Sequence, residues 1–548
     1  MTLLEERPGV GTGAGAPSRP ALAAPADNWF DTGDHKRLGL MFIASSLLFV
    51  AVSGVVGLFA GAKQASPGLN VAAGRFARLY GLHTQSAVLL FLTALWIGLA
   101  TYVVPLQVGA GRVALPRALA TGFWTYFFGG ICFLVSYLVG QVNGLGLTQS
   151  HPIAPIPGGA TAATTLWVVG LGLVAVGFLL ASASLLVTVA GLRTDGMTFL
   201  RVPAFSWATM VASAVTMVAT PVFLAGLLLL GFDQYFGGKL FAPTTPGSLA
   251  IWQHTLWLYG RPDVFLLTLL ALGAASDIVA THAGRPLLNH QVALVLMAML
   301  AAVSLGTWAS STSVVGAVIV PTYNVLTALV FIPLGLSILL WLGTAAMAMR
   351  GSPGAGHPTF HVSLLFVVGA IGLWVSGAAN AIGAAAHHVP GFGGNSAWIA
   401  GNVHTVVVGP PTLIAFGALY HWGPKMWGRR LSTGLGGLAF LCLFGGFAAS
   451  GLASYFLGYN GAPLAQIDAA SSYQKALYLV AEIGGGLIVL GVVVVVADIV
   501  LSVVLARGAA AGDDPYDGLT LEWATTSPPP PGGFDSLPEV RSEAPLYY

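Results

Sequence analysis

The sequence predicts an all-α polytopic membrane protein with about twelve transmembrane helices. Its 548 residues are 56% hydrophobic and only 7% charged, whereas soluble domains carry about 25% charged residues. Apolar runs recur along the whole chain, and each is long enough to cross a hydrocarbon layer of about 30 Å at 1.5 Å per residue. These runs cover approximately residues 38–61, 80–104, 118–141, 164–191, 204–231, 249–276, 290–313, 315–349, 361–383, 397–423, 431–456 and 476–506.

The two ends of the chain differ from this membrane domain, which is expected over residues 31–508. Residues 1–30 are rich in Gly, Ala and Pro and lack the apolar core of a secretory signal peptide, which indicates a disordered cytoplasmic tail. Residues 509–548 are expected to form a Pro-rich cytoplasmic tail, and their TSPPPPGG run is typical of a linker or docking segment.

The placement of basic residues predicts the orientation. Most Lys and Arg residues in the short loops and at the helix ends fall on the side that holds the N-terminus, and this bias marks the cytoplasmic side. An even number of helices then puts both termini in the cytoplasm of a bacterial cell, with the protein in the plasma membrane. The basic residues expected on the outer side are Lys63, Arg75, Arg78, Lys239 and Lys475.

Two histidines within apolar helices are the first candidates for function, because an ionisable group inside the bilayer is costly unless it is paired or ligated. His83 lies in LYGLHTQSAVLLFLTALW and His404 in AWIAGNVHTVVVGPPTLIAF. Both helices are expected to run inwards, so both side chains lie a turn or two below the outer face. Two imidazoles at similar depth could ligate one haem iron from opposite sides; alternatively, both could be core histidines hydrogen-bonded to neighbouring helices.

Other polar residues can be interpreted either as functional or as structural. Arg261 and Asp263, which follow His254, could hold a haem propionate or a proton path, or could form an internal ion pair. His387 and His388 could bind a metal, but they lie among Gly and Pro in a segment typical of a wet outer loop. The two cysteines lie in apolar helices without a C-x-x-C motif and indicate buried free thiols.

Several segments resemble subunit I of cytochrome c and quinol oxidases, over roughly residues 30–530. DHKRLG opens the first helix as in that family, and GLATYVVPLQVGA follows His83 at the family's spacing. HTLWLYGRPDVF resembles H-x-x-W-x-x-G-H-P-E-V-Y, and GTWASSTSVVG resembles V-W-A-H-H-M-F-x-V-G, both without gaps. LYHWGPKMWGRRLS and DPYDGLTLEWATTSPPP are similar to later family segments. The resemblance implies the haem-copper oxidase subunit I arrangement of twelve helices, with His83 and His404 as the axial ligands of the low-spin haem.

The departures from the family fall on the groups that reduce oxygen. The three copper-ligating histidines align with Arg261, Ser310 and Ser311, and neither a protonated guanidinium nor a hydroxyl is a suitable ligand for such a copper site. The family's active-site tyrosine aligns with Phe265. The proximal histidine of the high-spin haem aligns with Asn402. The comparison therefore predicts no copper and no high-spin haem.

Other family positions are altered as well. The aspartate and the lysine at the two proton-channel entrances align with Arg112 and Ser337, and the propionate-binding arginines with Leu464 and Ala465. The arginine that meets the formyl group of haem A aligns with Gly61, which favours a b-type haem. The space left by a missing macrocycle would be several hundred Å³, and we expect Arg261, Phe265 and Trp398, or else lipid or quinone, to fill it.

Three functions follow from these observations. The first is a membrane b-type cytochrome with one low-spin bis-histidine haem, which transfers electrons in a respiratory complex without reducing oxygen. The second is an active terminal oxidase or nitric oxide reductase with atypical ligands, and the third is a haem-free scaffold or regulatory subunit. The expected partners are a cupredoxin-bearing subunit II or a cytochrome c as donor, other oxidase-type subunits, and membrane lipid or quinone, and no nucleic acid.

Overall fold

The computed structural model describes most of the chain. The described residues are 32–66, 73–140, 161–241, 245–246, 248–307, 329–351, 359–386, 396–464 and 471–547. In part of the sixth helix the backbone alone is described, and the side chains of His254, Arg261, Asp263 and Phe265 lie outside the described part of the structure. Ser310, Ser311, His387 and His388 lie outside the described residues.

Twelve helical rods, α1 to α12, form one compact unit over Gly33–Tyr548 in the described part of the chain. Three rods contain π-helical segments, and α2 and α10 are each built from three consecutive pieces. In chain order the rods are α1, His35–Ala65; α2, Ala73–Gln85, Ser86–Thr93 and Ala94–Gln107; α3, Pro116–Val139; α4, Ala162–Gly191; α5, Ala204–Phe236; α6, Ser248–Ala283; α7, His290–Thr307; α8, Phe331–Met349; α9, Val362–Ala386; α10, Trp398–Asn402, Val403–Val407 and Gly409–Trp427; α11, Thr433–Tyr459; and α12, Ser472–Ile499 with Val500–Val504.

The predicted all-α membrane fold is confirmed. Within the described ranges, eleven helices are long and apolar enough to cross a membrane, and a shorter apolar helix covers His290–Leu305. Large hydrophobic side chains such as Leu138, Leu228 and Phe59 lie exposed on the outside of the bundle, as expected for a surface solvated by lipid. The spans on α2 and α10 are 89% and 83% buried, and the span Leu266–Ala283 of α6 is 94% buried, so these three rods form the centre of the bundle.

The C-terminal residues 505–547 pack across one end of the bundle, which we call the tail face; the opposite end is the far face. Leu521, Glu522 and Trp523 are buried there against the ends of α2 and α10. The amide of Gln107 on α2 donates to Glu522 at 3.0 Å and to Asp277 on α6 at 2.8 Å. Burial raises the pKa of the Glu522 carboxyl above its ordinary value.

The carboxylate of Asp277 also caps the N-terminus of α5, a helix whose own N-cap residue makes no side-chain hydrogen bond. Its two carboxylate oxygens accept the backbone N–H groups of Ala204 and Phe205, each at 3.2 Å. A carboxylate at a helix N-terminus satisfies otherwise unpaired N–H groups and interacts favourably with the helix dipole. One buried carboxylate therefore joins α2, α5 and α6 near the tail face.

A buried lysine fixes the tail. Lys425, near the end of α10, is only 1% exposed, and its ammonium group donates to the carbonyls of Asp513, Thr525 and Thr526 at 2.8, 2.5 and 3.3 Å. Three carbonyls use the full donor capacity of an ammonium group. The charge of Lys425 is therefore solvated by the tail backbone instead of by water.

Replacing Lys425 with Met should release the tail while leaving the helices in place, because the three carbonyls lose their donor and hydrogen bonds to a charged group contribute on the order of 2 kcal/mol. We expect faster hydrogen exchange and faster protease cleavage within residues 505–547. The matched control is K475M, since Lys475 is exposed at the start of α12. Equal protection of the tail in K425M and wild type would contradict this role.

Candidate haem-binding site

The two sequence-predicted haem ligands lie on α2 and α10, two of the three most buried rods. His83 is on α2 and His404 is on α10, and each is adjacent to or within a π-helical segment: Ser86–Thr93 follows His83, and Val403–Val407 contains His404. π-Helical turns inside α-helices are rare and occur frequently at functional sites. This shared distortion was not foreseen from the sequence and marks the same two positions.

The π segment of α10 has a local cause in the sequence. Pro410 and Pro411 follow it and supply no backbone N–H, so they cannot close the preceding α-helical turn. Trp374 of α9 instead donates its indole N–H to the carbonyl of Val406 at 3.2 Å, and Val408 N–H reaches back to Val403 at 2.8 Å. The widened turn is therefore stabilised by a neighbouring helix.

The protonation of His83 is fixed by α1. Its Nδ1 atom lies 2.9 Å from the backbone carbonyl oxygen of Ser53. Because a carbonyl can only accept, Nδ1 carries the hydrogen, and the lone pair of the neutral ring is on Nε2. The Ser53 hydroxyl donates to the carbonyl of His83 at 3.0 Å, so the ring and the backbone of this residue are both held by Ser53.

His404 is arranged in the same way on its own helix. Its Nδ1 atom lies 2.8 Å from the backbone carbonyl oxygen of Ala400, which again puts the hydrogen on Nδ1 and the lone pair on Nε2. An Nδ1–H to carbonyl hydrogen bond is the usual way in which a metal-ligating histidine is oriented and its tautomer selected. Both imidazoles thus present the nitrogen that a haem iron requires.

A glycine of α1 leaves space for the His83 ring. A Cβ atom added at Gly57 would lie 2.6 Å from Nδ1 of His83. Both rings are partly accessible although α2 and α10 are largely buried. Together with their Nε2 lone pairs, this arrangement fits a bis-histidine haem iron.

The propionate end of such a haem lacks the family's usual partner. Leu464 is a buried apolar residue beyond α11, at one of the two positions where the family has an arginine, and Ala465 is outside the described residues. Asn402 lies two residues before His404 and is partly accessible. The indole of Trp398 packs against the ring of Tyr455 of α11, with the ring centroids 5.3 Å apart and the planes tilted by 53°.

The structure describes Arg112 and Ser337, which the resemblance aligns with the proton-channel entrances, and Gly61, which it aligns with the arginine at the formyl group of haem A. Arg112 is exposed in the α2–α3 connection. Ser337 is buried in α8 and donates its hydroxyl to the carbonyl of Pro333 at 2.8 Å, within its own helix. Gly61 on α1 faces Glu482 of α12, whose carboxylate occupies the space that a side chain at Gly61 would need.

A cluster of three histidines at the tail face was missed by the sequence reasoning. His282 stacks on His361 at 5.1 Å and meets His421 edge-on at 5.4 Å, and Tyr516 of the tail stacks on His421 at 5.6 Å. Among the described residues, these histidines do not form a metal-binding arrangement. They come from α6, from the residue immediately before α9 and from α10, and they are far apart in the chain, so no local motif could have revealed them.

His361 connects this cluster to the tail. The backbone N–H of Ser363 donates to its Nδ1 at 3.3 Å, which leaves the hydrogen on Nε2, 3.2 Å from the hydroxyl of Tyr516. That hydroxyl donates onward to the carbonyl of Tyr420 at 3.3 Å. Burial, and to a lesser degree the charge of Arg430, lower the pKa of His361 to about 4.

Comparison with known proteins identifies the family. The profile described as Cytochrome C and Quinol oxidase polypeptide I matches residues 37–488, so the chain belongs to this family. It is 31% identical over 542 residues to cytochrome c oxidase subunit 1 of Corynebacterium glutamicum, covering 97% of this chain and 91% of the relative. It is 30% identical over 525 residues to the putative cytochrome c oxidase subunit 1-beta of Streptomyces avermitilis, covering 95% and 91%.

The fold has a solved counterpart. A chain from a cryo-electron microscopy structure of a haem-copper terminal oxidase dimer superposes with a TM-score of 0.69 at 14% identity, covering 85% of this chain and 84% of the other. The predicted haem-copper oxidase subunit I arrangement of helices is therefore confirmed.

Tail docking should weaken as the pH falls from about 6.5 towards about 4. The folded structure favours neutral His361, because a proton on Nδ1 would oppose the N–H of Ser363, whereas a free histidine titrates near 6.5. The contribution is fully present above 6.5 and should fall by on the order of 2 kcal/mol across this interval. Hydrogen exchange of residues 505–547 measures it, with H361N as the variant that lacks this titration. An identical pH dependence in wild type and H361N would refute the assignment.

Proposed function

We propose that this chain is a b-type cytochrome of the subunit I family, which carries one low-spin haem between His83 and His404 and transfers electrons without reducing oxygen. The observation that supports this most strongly is the shared tautomer: Nδ1 of each imidazole donates to a backbone carbonyl, at 2.9 and 2.8 Å. Each Nε2 is thereby left as a ligand. If both imidazoles held one haem iron, they would leave it no open position for oxygen.

The roles of the protein groups follow from this arrangement. Bound haem would supply reversible one-electron chemistry. Ser53 and Ala400 orient the two rings through their carbonyls, and Gly57 leaves room for the His83 ring beside α1. Phe447, whose ring lies 6.2 Å from that of His404, restricts rotation of that imidazole.

The absence of oxygen reduction is supported by the sequence at the remaining family positions. Asn402 provides an amide where the family has the proximal histidine, and amides are poor axial ligands for haem iron. Arg261, Ser310 and Ser311 stand where the family has the copper-ligating histidines, and these side chains are unsuitable for that site. Phe265 has no exchangeable hydrogen with which to replace the family's tyrosine. We therefore propose that the chain binds neither copper nor a second haem.

The names of the relatives support a partner complex and favour a second candidate function. Proteins named cytochrome c oxidase subunit 1 function with further subunits, and we propose a cupredoxin-bearing subunit or a cytochrome c as donor to this chain. The same names favour an active terminal oxidase that uses atypical ligands.

A third candidate, a haem-free scaffold, is favoured by one specific observation. Buried apolar Leu464 replaces one of the residues that would neutralise a haem propionate, and an unpaired carboxylate is costly to bury. Optical spectroscopy separates this candidate from the cytochrome, because a bundle without haem has no visible absorption bands.

Haem and metal analysis of the purified full chain with its co-purifying subunits tests the main proposal. We expect one b-type haem per chain by pyridine haemochrome assay, a sharp low-spin band on reduction, and copper at background once the copper of any cupredoxin partner is subtracted. Two haems per chain, or rapid oxygen uptake with a reduced cytochrome c or quinol, would instead establish an active oxidase.

Substituting either ligand should abolish the low-spin spectrum. H83A and H404A each remove one axial nitrogen, and because haem affinity depends on both, we expect more than a tenfold loss of bound haem. H290A is the matched control, since the His290 ring donates to the carbonyl of Val202 on a different part of the bundle, at 3.0 Å. Retention of the low-spin band in a folded H83A protein would exclude this ligand assignment.

We also propose that the tail face lies in the cytoplasm of a bacterial cell and that the protein resides in the plasma membrane. The basic residues Lys36, Lys425 and Arg429 bind tail carbonyls at this face, in agreement with the positive-inside rule. A C-terminal fusion to green fluorescent protein should fluoresce, and a fusion of alkaline phosphatase at the same position should be inactive. The reverse pair of results would invert the orientation.

A further inference from the structure

A carboxylate of α12 lies against α1 in the membrane interior. Glu482 is ten residues into α12 and is half-buried. Its carboxylate lies against Gly61 of α1, where a Cβ atom would overlap one of its oxygens. A carboxylate inside a membrane span is costly and is a functional candidate by default.

The same edge of α1 connects this carboxylate to the candidate haem ligand. Gly57 is one helical turn from Gly61, about 6 Å along the axis, and a Cβ atom at Gly57 would lie 2.6 Å from Nδ1 of His83. The Glu482 carboxylate and the His83 ring therefore occupy the space beside two glycines that are one turn apart on α1. Glu482 lies against the backbone of α1. The Nδ1 atom of His83, which faces α1, is already hydrogen-bonded to the carbonyl of Ser53.

The surroundings of Glu482 contain few ionisable groups. On α1, Lys63 is buried two residues beyond Gly61; on α12, Tyr478 is buried one turn before Glu482; and on α2 there is His83. On α11, the contact beside Glu482 is the Ser450 hydroxyl, which donates to the carbonyl of Ala481 at 3.1 Å. Among the described residues, the carboxylate of Glu482 forms neither an ion pair nor a hydrogen bond, and the space that the His83 ring occupies beside Gly57 is one turn of α1 away from it.

We propose that Glu482 takes up a proton when a haem held by His83 and His404 is reduced, which couples the electron to a proton at the far half of the bundle. This inference rests on the proposed function. A one-electron donor reduces the iron from Fe(III) to Fe(II), and a proton from water forms an O–H bond on the Glu482 carboxylate. The net charge of the pocket is then unchanged, whereas an ionised carboxylate next to the extra electron would be repelled in a medium of low dielectric constant.

Potentiometric titration of the purified complex as a function of pH tests this coupling, with the absorbance of the haem as the readout and an electrode as the donor. We expect the midpoint potential of wild type to fall as the pH rises through the titration of the carboxyl. In E482Q the potential should be independent of pH over that interval. At high pH the midpoint potential of E482Q should exceed that of wild type by about 59 mV. This difference corresponds to a tenfold change in the equilibrium constant for one-electron reduction.

Two further variants complete the design. G61A places a methyl group where the carboxylate lies and should reduce the pH dependence without removing the acid. D233N is the control, because Asp233 is a carboxylate of the far face on α5 that accepts backbone N–H groups of Leu240 and Phe241, and it should leave the pH dependence unchanged. If E482Q does not fold, E482D retains the acid at a greater distance and should shift the titration.

The outcomes separate this inference from the proposed function. If wild type binds no low-spin haem, the proposed function fails. If the haem binds through both histidines but E482Q and wild type show the same pH dependence, the role of Glu482 is wrong and the cytochrome assignment stands. A pH dependence lost equally in D233N and E482Q would show that general surface charge, rather than Glu482, sets the potential.

Discussion

Close contact between helix backbones is the constraint on which the rest of this structure depends. Lipid tails solvate apolar side chains as well as another helix does, so helices in a membrane associate through close packing and hydrogen bonds. Gly39 of α1 and Gly98 of α2 illustrate this: a Cβ atom on either would lie 2.9 Å from the carbonyl oxygen of the other. Gly129 and Gly170 join α3 to α4 with the same reciprocal contact. A chain with 72 glycines can hold its helices at this distance throughout.

Glycines on a helix also leave space beside its backbone, and polar groups of the interior occupy that space on α1. The His83 ring lies beside Gly57 and the Glu482 carboxylate beside Gly61. Because the hydrocarbon layer offers no water to replace a missing hydrogen bond, the choice of partner for each polar group matters. A single carbonyl, that of Ser53, decides which nitrogen of His83 is free. The redox chemistry proposed for this protein therefore depends on packing details of α1 as much as on the histidines themselves.

At the tail face, polar groups are satisfied by the C-terminal segment instead of by close contact between helices. There, helix ends expose carbonyls, carboxylates and imidazoles, and the C-terminal segment covers them. Lys425 is solvated by tail carbonyls and Glu522 by Gln107 and Trp422. The sequence suggested a linker or docking segment on its Pro-rich composition. The residues that attach the segment, Trp523 and Tyr516 among them, lie before the proline run and pack against side chains from distant helices.

The sequence alone determined the membrane fold and singled out His83 and His404 as the candidate ligands, because hydropathy over twenty residues is a local signal and an imidazole within an apolar helix is conspicuous. Boundaries of the long spans also agreed with the structure, for example 118–141 against Pro116–Val139. Tertiary structure alone decided what surrounds them. The tautomer of His83 depends on α1, the indole that stabilises the π turn at His404 comes from Trp374 of α9, and Glu482 meets Gly61 on two helices more than 400 positions apart. Such contacts arise from packing between helices, which no local pattern encodes.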